Sequence, residues 1–464
     1  MFCSRIAAGL AGILVLVLTG CSYLDAGVDA GKSFLGLGDN HGISVAGHGL
    51  VVGDEPLAVQ TGANILAQGG SAADAATAIY FALAATYPVA AGLGGGGLCA
   101  VHDAASGKNE SIDFLARDAA GRGAFGVPGN VRGFSVLQET YGRLPWERDV
   151  APGEGYATAG FTISQALETR LRASQNAIRL DANLAAEFLS EFGLVKPEGS
   201  LVANADLGAT LSAIRRFGPD GLYRGATADK LLAYSSAQGG ALTAGELAGY
   251  PVGRGAPDAI VIGDQTVYLP PTNVGAGAFA RALLARLVDG QGQVIAGPNP
   301  ANATAVATKA ALDQFGIASL PRDLGATGFA ATDNYGQAVA CAVTMNGPFG
   351  SGHTATGTGI TLARAPSEDK NGLSGAFLTP VVATSTGDGT LSLVGAGAGG
   401  PNGTAAIAYA VVRLALGDDI TQPGHLHSTG IAPYDTINVI ACQSDTCVAL
   451  PDPGAHGLGA QASQ

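Results

Sequence analysis

The spacing of apolar positions changes repeatedly along the first third of the chain. Residues 6–18 (IAAGLAGILVLVL) are an apolar stretch too short to span a bilayer, which takes about 20 residues. Residues 44–53 (SVAGHGLVVG) read as a strand with turns. Pro56 predicts a helix start, because the N–H that proline lacks would have no partner in a first turn. Leu57, Ile65 and Leu66 then recur at helical spacing, and Gly69–Gly70 ends the run. Ser71 followed by Asp74 has the form of a capping box for an Ala-rich helix that runs to Pro88. Gly92, Gly94 and Gly97 satisfy the letters of G-x-G-x-x-G. They follow a helix and open a strand, Leu98–His102, the reverse of the order a dinucleotide-binding unit requires. The glycines read instead as a tight backbone passage beside a buried site.

Beyond residue 127 the period is helical to about 250, clearest in AAEFLSEF, DLGATLSAIRRFG and ATADKLLAYSSAQGG. QTVYLPP is a strand ending in a proline break, and 274–288 is a further helix. Residues 289–325 are rich in Gly, Pro, Ala and Asn around one helical run. The texture then changes. ATGFAATDNYGQAVACAVTMN predicts a hairpin turning at Asp333–Gly336, followed by strands at GTGITLAR, TPVVAT and TLSLVGA, a helix at 403–416 and a C-terminal hairpin. Strands with flanking helices in both halves predict stacked sheets enclosed by helices, an α/β class.

The N-terminus adds a cellular address. Arg5 precedes the apolar run, and LTGC with Cys21 then Ser22 has the form of a lipobox, in which Cys21 takes a lipid and the chain is cut before it. Residues 1–21 are thus a lipoprotein signal peptide and 22–43 a small, polar, Gly-rich tether. The expected location is the cell envelope, lipid-anchored and facing the periplasm, with Ser22 favouring the outer membrane. A net charge of −13 argues against nucleic acid or anionic lipid as partner. With 13% charged and 47% hydrophobic residues the body is a buried-core protein. Its 71 glycines have no fixed period, so they mark turns and close approaches rather than a collagen-like repeat. Export permits disulfides. Cys442 and Cys447 flank a turn between two short apolar runs, the setting of a cross-strand disulfide, whereas Cys99 and Cys341 read as small buried hydrophobes. His425 and His427 read as a surface pair; no spacing suggests a metal, and no cofactor is expected.

The order of motifs resembles the gamma-glutamyltransferase family. DEPLAVQTGANILAQGGSAADAATA, YPVAAGLGGGG, ESIDFLARDA and VPGNVRGFSVLQETYGRLPW are similar to its N-terminal part. GPDGLYRG, GGALTAGELAGY and VYLPP are similar to its middle. DNYGQAVACAVTMNGPFGSG, VGAGAGG and LPDPGAHGLGA are similar to its small subunit. The similarity covers roughly 44–460, dividing the body into a large-subunit-like region, 44–325, and a small-subunit-like region, 326–464. Membership implies an N-terminal-nucleophile hydrolase, a four-layer αββα sandwich that cuts itself before a Thr. That Thr then attacks a gamma-glutamyl carbonyl, with its own freed amine as base. An alpha-amine titrates at about 7.7–8.0 and can serve near neutral pH.

Several family positions are altered here. Matching the turn at Asp333–Gly336 without gaps puts Ala326 at the nucleophile and Gly328 at the following His. Thr327, the candidate shifted nucleophile, is one residue late. A one-residue slip turns a strand side chain to the other face, so Thr327 serves only if a deletion or bulge shortens the strand before Asp333. The family's carboxylate-binding Arg is Leu115, with Arg117 two residues later as either a substitute or a solvated loop residue. Its Ser-Ser pair aligns with Ala376 and Phe377, and Glu368 or Asp369 stands near the acidic residue that holds the substrate amine. Asn346 matches a substrate-contacting Asn. Gly399 and Gly400 match the pair whose N–H groups form an oxyanion hole, where only backbone approach matters. Three functions remain open: a gamma-glutamyl hydrolase or transferase using Thr327, an uncleaved binding or scaffolding lipoprotein, and a hydrolase of a different small amide. Fold alone cannot choose among them.

Overall fold

The computed structural model describes residues 43–45, 49–368, 373–421, 434–443 and 446–462. Cys21, tether residues 22–42, Asp369, His425 and His427 lie outside the described residues. Among those described, the strand-forming runs assemble into two seven-stranded sheets. The first has the order β1 (Ile43–Val45), β13 (Thr446–Leu450), β12 (Thr436–Gln443), β11 (Leu391–Ala398), β10 (Thr379–Ser385), β7 (Gln265–Leu269) and β6 (Asp258–Ile262). The second has the order β14 (Leu458–Gln461), β2 (Leu50–Gly53), β8 (Ala326–Thr332), β9 (Gln337–Thr344), β3 (Gly96–Asp103), β4 (Lys108–Phe114) and β5 (Gly253–Gly255). Neighbouring strands are antiparallel throughout.

The sheets face each other through apolar side chains. Leu50, Val52, Ala330 and Ala340 meet Val382, Val394 and Ile440 across the interface. Helices cover the outer faces. On the second sheet lie α1 (Pro56–Ala67) and α2 (Ala72–Thr86), backed by α3 (Asn130–Tyr141) and α4 (Trp146–Ala159). Past them, α5 (Gln165–Ala173) contributes Arg170 to the site below. On the first sheet lie α6 (Gly277–Leu284), α7 (Pro300–Gln314) and α8 (Pro401–Ala415). This is the four-layer αββα sandwich.

Local chemistry explains the helices that border the site. Glu55 caps α1 by accepting from Ala58 N at 2.8 Å, with Pro56 in the first turn. At α2 both bonds of the Ser71–Asp74 capping box form. Every residue of α2 is buried, because its alanines let it pack between the sheet and its neighbouring helices.

The glycine run is the tight passage expected. A Cβ on Gly96 would stand 2.0 Å from Ala116 N, and one on Gly94 would stand 2.2 Å from Thr361 O. Both obstacles are backbone, so no rotamer change relieves them. Gly96→Ala should therefore lower stability by about 3 kcal/mol or more, seen as a reduced denaturant midpoint and soluble yield.

Two sequence expectations are corrected. GTGITLAR is not a full strand: it holds only the two-residue strand Ile360–Thr361, paired with Thr354–Ala355. Gly357 and Gly359 sit at φ of 71° and 65°, left-handed backbone that interrupts an extended run. Cys99 and Cys341 are not free hydrophobes but a disulfide (S–S 2.01 Å). They are directly opposed on β3 and β9, 242 residues apart in sequence, a proximity no local pattern reports. Cys442 and Cys447 are also joined, across the β12–β13 hairpin. Among the described residues no helix is long and apolar enough to cross a membrane.

Candidate functional site

The site is set by alternation along β8. Its register with β9 runs unbroken from Ala326 opposite Thr344 to Thr332 opposite Ala338. The bulge that would advance Thr327 by one place is absent. Ala326 faces the first sheet, in an apolar cluster with Leu98, Ala342, Leu378, Ala396 and Ala398. Gly328 faces the same way, close to Ala396. Thr327 turns to the opposite face, the one on which Phe329 and Ala331 pack with the helices. It is fully buried, and its Oγ1 donates to Asp54 Oδ2 at 2.6 Å.

Asp54 fills the gap where β2 stops alongside β8, which lets it reach both sheets. Thr436 Oγ1 donates to it at 3.0 Å and Asn438 Nδ2 at 2.7 Å, both from β12. Asn438 Nδ2 also reaches Gly328 O. Burial pushes the Asp54 carboxyl up to about 6, against the pull of the bonds from Thr327 and Asn438.

A second cluster holds the chain just before β8. β2 pairs only with Phe329–Thr332, so the carbonyl of Ala326 has no strand partner on that side. Arg170 Nη1 donates to it at 2.9 Å. The same guanidinium makes a two-pronged ion pair with Asp323 and lies against the rings of Tyr87 and Tyr434. Asp323 in turn accepts from Gly325 N at 2.7 Å. Leu324 and Gly325 are fixed from the other side by Gly347 N and Met345 N. Arg170 is 3% exposed, on the same helical face as Leu167 and Leu171. An arginine at the apolar spacing of ALETRLRA is the signal by which the sequence could have disclosed this clamp.

The other predicted residues are distributed around this centre. Asn346 is buried at φ 57°, its side-chain amide donating to Arg364 O at 2.9 Å. Gly399 and Gly400 follow β11 directly after Ala398, a member of the Ala326 cluster. A Cβ on Gly399 would strike Tyr434 O, and one on Gly400 would strike the Asp435 carboxyl. Asp435 accepts from Asn402 N in the first turn of α8, and burial raises it to about 6. The charge nearest this glycine turn is therefore negative, which opposes a second anion there. Arg117 is partly exposed, 3.2 Å from Asp113, with its guanidinium over Tyr250. Glu368 is exposed. Leu115 is partly buried against the Ala326 cluster. Neither Arg117 nor Glu368 belongs to that cluster. Among the described residues no group of three His, Cys, Asp or Glu could hold a metal.

Two sheets enclosed by helices, with the altered nucleophile position at the start of a central strand, define the N-terminal-nucleophile hydrolase class. The whole sandwich is similar to the structure of cephalosporin acylase from Bacillus halodurans: TM-score 0.71, 19% identity, covering 91% of this chain and 97% of that one. A family profile described as gamma-glutamyltranspeptidase matches residues 58–292, and the chain belongs to that family. It is 32% identical over 251 residues to glutathione hydrolase 2 of Arabidopsis thaliana, covering 51% of this chain and 43% of that protein. The match thus spans less than half the length of this curated relative. The gamma-glutamyltranspeptidase of Helicobacter pylori is similar over 56% of this chain and 81% of its own, with 26% identity and TM-score 0.50. The profile match ends at residue 292, ahead of β8.

Proposed function

We propose that this family member is an uncleaved, lipid-anchored envelope protein that keeps an enzyme fold as a binding scaffold. One observation carries the reading: Ala326, not Thr327, points into the cleft between the sheets, and it does so among alanines and leucines. Thr327 turns from that cluster and donates to the buried carboxyl of Asp54, which also accepts from Thr436 and Asn438. Leu115 and Phe377 replace the polar groups expected to hold a glutamyl head. Anchoring through Cys21 and a periplasmic, outer-membrane location belong to the same proposal and rest on the lipobox. Small molecules, not nucleic acid, are the expected partners.

A second reading has its own support. Thr327 Oγ1 lies 2.6 Å from Asp54, a carboxylate raised into the range of a neutral-pH general base. Arg170 holds the carbonyl oxygen of Ala326, the atom that would gain charge if Thr327 attacked the preceding peptide bond. That arrangement would cut the chain at 326–327 and leave a gamma-glutamyl or other amide hydrolase with Thr327 at a new N-terminus. Denaturing mass spectrometry of the purified full-length chain after long incubation decides between the two. One chain is expected. Two chains, the smaller beginning at Thr327, would overturn the scaffold reading, and Thr327→Ala should then abolish the cut.

A further inference from the structure

We infer that the turn at Phe192–Leu194, with Leu180 beside it, is a lipid-contact surface that seats the body on a zwitterionic bilayer. The inference rests on the lipid-anchored reading and adds the part of the body that meets the membrane. Large apolar side chains scattered singly over a surface need no explanation, whereas several gathered at one place mark an interaction. Phe192 is 80% exposed, Leu194 59% and Leu180 87%. They come from the end of the helix Gln175–Leu180 and from the turn that follows the helix Ala182–Phe188.

Polar bonds hold these three side chains together. Leu189 and Val195 pair across the turn, Ser190 N donates to Leu194 O at 2.8 Å, and Gly193 N donates to Ser190 O at 2.9 Å. Gly193 sits at φ 71°, and a Cβ there would meet nothing within 4 Å, so the tip stands clear of its surroundings. Gln175 Nε2 and Arg179 Nη2 both donate to Gly193 O at 3.0 Å, which fixes the tip against the helix that ends in Leu180. Ile178, Leu184 and Phe188 supply the buried side of the same segment. The core is therefore filled without the three outward residues, and leaving them apolar does nothing for the fold.

Size and charge select the occupant. A stable protein interface buries about 800 Å² on each partner. Three side chains, with about 150–250 Å² for the aromatic one, fall short of that. A bilayer sets no such threshold, because an anchor already holds the body close and each buried apolar group adds to the partition. Residues 22–42 fully extended span at most about 70 Å, so a lipid on Cys21 keeps the body at the surface. Around the turn, Arg179 and Lys196 stand against Asp181, Glu187, Glu191 and Glu198. That acidic excess opposes an anionic leaflet and leaves a zwitterionic one.

Phe192→Trp in the full-length chain tests this by fluorescence, since the parent has Trp146 alone. The chain is mixed with phosphatidylcholine vesicles, at millimolar lipid, whose acyl chains carry bromine, a contact quencher of indole. Emission of the variant should fall relative to unbrominated vesicles, and emission of the parent should not. Leu194→Trp gives the same readout if the first variant fails to fold. Adding Leu180→Asp and Leu194→Asp to Phe192→Trp should remove the quenching with the far-ultraviolet circular dichroism unchanged. Phosphatidylglycerol vesicles should quench less. No quenching, quenching that survives the two aspartates, or stronger quenching on phosphatidylglycerol would overturn the inference. So would a parent dimer in sedimentation that Leu194→Asp breaks, because the patch would then belong to a second copy. The mass of the peptide that holds Cys21 keeps the readings apart. Cys21 without lipid sinks the anchor and leaves quenching to judge the surface, and lipid on Cys21 with no quenching sinks the surface alone.

Discussion

Arg170→Ala should lower the stability of the chain by about 3–5 kcal/mol, the cost of leaving one member of a buried ion pair without its partner. Asp323, its side chain only 8% exposed, would keep Gly325 N but lose both prongs of the guanidinium. The carbonyl of Ala326 would lose its donor at a place where β2 supplies none. The fall should appear in the urea midpoint with the slope unchanged. Amide exchange at 324–327 should speed up more than elsewhere in β8. Pairing Arg170→Met with Asp323→Asn should restore much of the loss, since a buried pair replaced on both sides is often nearly neutral. A single mutant within about 1 kcal/mol of the parent would mean that the clamp contributes little to stability.

Asp149→Asn is expected to have the opposite sign and a strong pH dependence. Asp149 is fully buried, and neither carboxyl oxygen finds a donor. The group beside it is Asp74, whose oxygens already accept from Ser71, Arg143 and Leu144. Burial, then the Asp74 charge, pushes Asp149 up to about 9. Its folded-state value is thus raised above the unfolded one of about 3.9. The native chain then holds a proton that the unfolded chain releases. Stability associated with this group is fully present below about pH 4 and is lost progressively as pH rises to about 9. The loss relative to low pH is on the order of 4 kcal/mol by pH 7, at about 1.4 kcal/mol per unit. An asparagine there donates to Asp74 without titrating. The variant should therefore match the parent near pH 4 and exceed it increasingly toward pH 8, in denaturation curves taken at each pH. Parallel curves for the two proteins across that range would refute the buried-acid account.

What the sequence discloses is what local physics decides. Pro56, the Ser71–Asp74 box and the Gly69–Gly70 stop mark α1 and α2, because capping involves residues three or four apart. Alternation alone assigns Thr327 to the face away from Ala326. It cannot say that Thr327 meets Asp54, 273 residues earlier. Arg170 and Asp323 are 153 apart, and the cysteine pair of β3 and β9 is 242 apart. Each depends on sheet order, which the linear pattern leaves open. GTGITLAR misleads for the converse reason: its β-branched residues favour extension, but two left-handed glycines dictate the path.

The placement of the covalent links divides how the sandwich responds to its surroundings. Cys99–Cys341 ties β3 to β9 and Cys442–Cys447 ties β12 to β13, so each described bond stitches one sheet to itself. Across the seam between sheets, one polar tie is Asp54, with Thr327 on one side and Thr436 and Asn438 on the other. A change of redox environment thus loosens a layer internally and leaves the seam untouched, while a change at position 54 weakens the seam, where Asn438 still reaches Gly328 O, and spares the strands. The two damages should add independently.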